Sequence, residues 1–87
     1  MAAKSTVTVK LDFVDDSVTP PVTELTVRRP KVRDQIAASK ASKDPATQEC
    51  TLFATLCEVS LETITNLDMA DYMKVQKVYQ DMEAGNA

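Results

Sequence analysis

A single proline marks the place where this chain changes from one kind of backbone to another. In Glu24-Leu-Thr-Val-Arg-Arg-Pro-Lys-Val-Arg-Asp-Gln-Ile36, Leu25 and Val27 alternate with Glu24, Thr26 and Arg28, the two-residue period of a strand with one buried face. Pro30 has no N–H and a φ near the helical value, which suits the first turn of a helix and disfavours a continuing strand. Val32 and Ile36 then follow at i, i+4 spacing, so the period changes from two to about 3.6. Strand is predicted before Pro30 and helix after it.

Upstream, Val7, Val9, Leu11 and Phe13 alternate with Thr6, Thr8, Lys10 and Asp12, a strand with one wet side. Asp15, Asp16, Ser17 and the Pro20-Pro21 pair interrupt regular structure and make a loop longer than a tight turn. A second strand, beginning near Val22, pairs antiparallel with the first. Two strands alone are marginal in water, so helices must cover the apolar face, and the open edges leave self-association as an option.

Downstream, the helix after Pro30 offers Val32 and Ile36 as anchors and then only Ala37-Ala38-Ser39-Lys40-Ala41-Ser42-Lys43. It is expected to be weakly held, fraying or ordering on a partner. Asp44-Pro45 restarts a helix as N-cap and first turn. Ala46, Cys50, Leu52, Phe53, Ala54, Leu56, Cys57 and Val59 cover about half a helical circumference, the pattern of a central core helix. Glu49 projects into that apolar arc and needs either water or a partner. Ser60 caps a short turn with Leu61 and Ile64; Asn66 and Asp68 supply a stop and a new cap. In the last helix, about Met69 to Glu83, Tyr72, Val75, Val78, Tyr79 and Met82 form the core-facing stripe. Met69 and Met73 fall off that stripe, on a line continued by Gln76 and Gln80. Such a line is either an adaptable apolar surface or, more simply, packing beneath the preceding connection. The expected class is α+β, one domain over 1–87. An N-terminal two-stranded β-hairpin (6–28) is followed by a weakly anchored basic helix or linker (30–42), a helical core (45–83) and a tail (84–87), with three to four α-helices in all.

Chemistry is sparse in such a chain. It has no His, and Gly85 is its one glycine, which removes the commonest general base and metal ligand and any glycine-rich phosphate loop. Cys50 and Cys57 sit on one predicted helix about 10 Å apart, too far for a disulfide, and two thiols alone make no zinc site. No catalytic, cofactor-binding or metal-binding residue is expected, and no enzyme. Reduced thiols, the absence of a membrane-length apolar run and an N-terminal Met-Ala-Ala-Lys without an apolar core point to the cytoplasm. Charge is uneven: residues 28–43 carry six cations (Arg28, Arg29, Lys31, Arg33, Lys40, Lys43) against Asp34, whereas residues 44–87 carry eight acids against two cations. The basic corner would suit phosphates, but it has no aromatic platform and the chain's pI is about 4.8, so nucleic acid is disfavoured.

The order of features resembles that of a known family. The corner Val27-Arg28-Arg29-Pro30 with Asp34, the helix Glu49 to Val59, and the entry Ile64-Thr-Asn-Leu67-Asp68-Met-Ala-Asp71 resemble the small tail assembly chaperones of long-tailed bacteriophages over roughly residues 7–82. Many relatives place a Gly where this chain has Thr19-Pro20-Pro21. The resemblance implies a non-catalytic protein that binds the helical tape-measure protein and keeps it soluble before the tube polymerises. It also implies that the protein helps recruit tail-tube subunits, works in the bacterial host's cytoplasm and is absent from the mature virion; a frameshift extends some members. Candidate partner-binding residues are Met69, Met73, Gln76 and Gln80 with Arg28, Arg29, Lys31 and Arg33. Two other readings stand beside it, a small phage nucleic-acid-binding regulator and a structural tail subunit retained in the virion.

Overall fold

The computed structural model describes residues 6–15 and 17–85. Strands β1 (Thr6–Lys10) and β2 (Glu24–Arg28) precede helices α1 (Val32–Ala41), α2 (Pro45–Cys57), α3 (Leu61–Thr65) and α4 (Met69–Glu83). This is the α+β arrangement expected, with four helices. The last two residues of the expected tail, Asn86 and Ala87, lie outside the described residues, as do Met1 to Ser5.

The strands pair antiparallel, with Val7 opposite Val27 and Val9 opposite Leu25 on one face, and Thr8 opposite Thr26 and Lys10 opposite Glu24 on the other. Val9, Leu25 and Val27 are buried, because the helices close over the apolar face while the polar face stays wet. Helix α2 lies against α1, α3 and β2, and α4 against both strands. Phe53 of α2, 1% exposed, sits between Tyr72 and Tyr79 of α4 at ring-centroid distances of 5.5 and 5.4 Å, both tilted, the geometry that aromatic quadrupoles prefer. Leu56, Ile64, Val75 and Met82 complete the interior.

Helix ends follow the sequence signals closely. Asp44 accepts the Thr47 N–H at the start of α2, with Pro45 in the first turn. Ser60 accepts from Thr63 for α3, and Asp68 from Ala70 for α4. Each relieves one of the unpaired N–H groups at a helix start.

Two sequence expectations are corrected. Phe13 was expected to share the buried strand face, but β1 ends at Lys10 and Phe13 is 60% exposed. The backbone N–H groups of Asp12 and Phe13 both point at the Asp71 carboxylate; consecutive N–H groups of a strand point to opposite sides, so the chain must leave the ladder to make this contact. Val32 and Ile36 were expected to anchor α1, yet they are 76% and 50% exposed. Asp34 and Ala38 face inward instead.

Candidate partner-binding surface

The predicted basic residues fall into two groups. Arg28 Nη1 and Nη2 donate to Asp34 Oδ2 and Oδ1, both at 2.9 Å. Asp34 Oδ2 also accepts the Lys31 N–H at 2.8 Å, so the carboxylate caps α1 while the guanidinium ties it to β2. Hydrogen bonding from Arg28 dominates and outweighs the opposing effect of burial, with help from the Lys31 N–H and the charges of Arg28 and Arg33; the Asp34 pKa is drawn down to about 2. Arg29 Nη2 donates to the Met82 carbonyl at 3.2 Å, a last-turn acceptor of α4 that also takes the Gly85 N–H at 3.0 Å. Both arginines are therefore used by the fold. Lys31 and Arg33 are exposed and, among the described residues, form no ion pair.

A second buried acid fixes the other end of the hairpin. Asp71, 0% exposed, accepts the Asp12 N–H at 2.9 Å and the Phe13 N–H at 3.0 Å, with Lys74 Nζ 3.5 Å away. Burial pushes its pKa up, but the two N–H groups and Lys74 outweigh it and hold the carboxyl below its usual range. Lys74 also grips Asp12 and the Lys10 carbonyl. Two acids of the resemblance, Asp34 and Asp71, are thus staples of the fold, one at each end of the hairpin.

The predicted line on α4 is broken. Met69 and Met73 are 68% and 59% exposed and do not pack beneath the connection before the helix. Gln80 is exposed as well. Gln76 turns inward and donates to Glu49 Oε1 at 2.7 Å, an acceptor shared with the Tyr72 hydroxyl. Desolvation and the Glu49 and Cys50 contacts raise the Tyr72 pKa, so its hydroxyl stays a donor. Glu49 has its partners, as its place in an apolar arc demanded.

Sequence reasoning missed the groove beside these residues. A hollow of about 540 Å³ is walled by Pro45, Ala46, Cys50, Ile64, Leu67 and Met69, with Glu49 and Tyr72 also lining it. A hollow of about 220 Å³ between α1 and α2 shares Pro45 and Glu49 with it. Another of about 220 Å³, reaching Arg29, Lys31 and Val32, shares Gln35, Leu52 and Tyr79 with the second. Joined through these shared residues, they make a furrow along α2 that runs from α3 and the start of α4, past the gap between α1 and α4, to the corner at Pro30. Its ends are Met69 and the basic corner, about 20 Å apart if Met69 to Met82 is measured along α4. A separate hollow of about 260 Å³ lies between the hairpin loop and α3, lined by Phe13, Val18, Val22 and Leu67. Among the described residues no group of three or more His, Cys, Asp or Glu could hold a metal ion. Burial raises the Cys57 thiol to about 11, leaving it protonated and inert.

A family model described as phage tail assembly chaperone proteins, E, or 41 or 14, matches residues 14–83. The chain belongs to that family. The matched stretch of this tail assembly chaperone begins after β1 and comprises the loop, β2 and the four helices, with both buried acids inside it. No curated protein and no solved structure matches the chaperone. No helix among the described residues is long and apolar enough to cross a membrane.

Proposed function

We propose that this chaperone binds the tape-measure protein and keeps it soluble until the tail tube forms, without catalysing a reaction. It acts in the host cytoplasm, also contacts tail-tube subunits, and is released before the virion matures. The observation that carries the reading is the furrow with Met69 at its edge, and Met73 exposed one turn further along α4: exposed, flexible apolar side chains suit a client that presents apolar helical surface. Lys31 and Arg33, exposed and in no ion pair among the described residues, are available for acidic side chains of the same client.

Co-expression with the tape-measure protein of the same phage tests this. The wild-type chain should move that protein into the soluble fraction and co-purify with it, and Met69→Asp/Met73→Asp should lower its yield severalfold. An equally insoluble tape-measure protein with and without the chain would overturn the reading. Mass spectrometry of purified virions should find no copies of the chain.

A further inference from the structure

We infer that Glu49 is the polar anchor of the furrow, receiving a lysine or arginine side chain from an otherwise apolar helix of the client. The inference rests on the chaperone reading above and adds the chemistry of the client segment.

Glu49 is half-buried where the two hollows over α2 meet. Its Oε1 takes both of its hydrogen bonds, from Tyr72 and Gln76, and Oε2 accepts none from any described residue. Two neutral donors on one oxygen fix the side chain's rotamer but leave the charge incompletely compensated. Among the described residues no cation forms an ion pair with it: Lys74 pairs with Asp12 and Asp71, Lys77 with Asp81, and Arg28 with Asp34. The nearby walls, Pro45, Ala46, Cys50 and Met69, are apolar, so a cation arriving there would meet a carboxylate in a partly desolvated setting, where a charge-assisted hydrogen bond gains most. Asp44 and Asp68, the helix caps near the same end, add negative potential and favour a cationic visitor. The furrow's length, about 20 Å, matches about 13 residues of helix, and the helices that line it, α1, α2 and α4 with α3 at one end, offer ridges against which a further helix packs.

Glu49→Gln separates charge from shape, since the amide oxygen still accepts from Tyr72 and Gln76. With the tape-measure protein of the same phage as probe, Glu49→Gln should weaken co-purification about tenfold or more, with a melting temperature within about 2 °C of wild type. Tyr72→Phe, which frees the carboxylate but keeps its charge, should give a smaller loss. Raising salt from about 50 to about 500 mM should weaken the wild type more than Glu49→Gln. If wild type binds and Glu49→Gln binds within twofold of it, the anchor is refuted and the chaperone reading stands. If wild type itself fails to bind, the chaperone reading falls and the anchor with it. If Glu49→Gln alters only self-association by sedimentation, the occupant is a second copy and the inference is overturned.

Discussion

Helices α1 and α4 both bury an aspartate as their third residue, yet they dock by opposite logic. In α4, Asp71 lies on the face shared by Val75, Val78 and Met82, since i+4, i+7 and i+11 return to the same side of a helix. Acid and apolar stripe point inward together. In α1, Asp34 stands about 200° around the helix from Val32, so the rotation that joins Asp34 to Arg28 turns Val32 and Ile36 toward solvent. Burying those two side chains would have contributed about 1.5–3 kcal/mol each. The geometry instead favours a carboxylate that closes the corner at Pro30, pairs with a bidentate guanidinium and caps the helix at once. The comparison teaches that an apolar stripe sets a helix's orientation only where its polar anchor agrees with it.

The comparison can be broken most severely at Asp71. Asp71→Ala should cost about 3–5 kcal/mol in chemical denaturation, because it strands the two backbone N–H groups of the loop and takes the buried carboxylate away from Lys74. A loss under about 1 kcal/mol would show that the loop does not depend on this contact. Next, Met82→Ala, on the inward stripe of α4, should cost about 2–5 kcal/mol through the cavity it leaves.

Acid comes third. Asp34 has a folded-state pKa of about 2 against an ordinary value of 3.8, so it binds its proton less readily when folded. Its contribution, about 2 kcal/mol, is fully present above about pH 4 and is lost as pH falls toward 2. Asp71 is shifted in the same direction and adds to the loss. Denaturant midpoints measured from pH 6 to pH 2 should fall in wild type, and more shallowly in Asp34→Asn. Smallest of all, Val32→Ser/Ile36→Ser should change stability by at most about 0.5 kcal/mol, since both side chains already face water. A cost near that of Met82→Ala would mean that α1 buries its stripe after all.

These numbers bear on what could be read from the residues. The strand pairing, the junction at Pro30, the caps Asp44, Ser60 and Asp68 and the α4 stripe were legible, because each depends on period or on a local hydrogen bond. The rotation of α1 was not legible: it depends on Arg28 reaching Asp34, a contact between elements that periodicity does not describe. The fate of Phe13 was hidden for the same reason, since its partner Asp71 lies 58 residues away in sequence. Both acids belong to the family's pattern, which does not itself carry the chemistry that explains them. Glu49 was legible as an anomaly, a carboxylate in an apolar arc, but its partners Tyr72 and Gln76 and the furrow around it arise only when α2 and α4 come together.

The contrast extends to function. At the corner and the loop Arg28, Arg29, Asp34 and Asp71 are consumed by the fold, whereas over α2 the apolar edge and Glu49 Oε2 are left uncommitted among the described residues. Hydrogen exchange on the chain, alone and bound to the tape-measure protein, tests that division most directly. The account predicts new protection in residues 45–50 and 69–76, with strands 6–10 and 24–28 unchanged. Protection confined to the strands, with the helices unaffected, would contradict it.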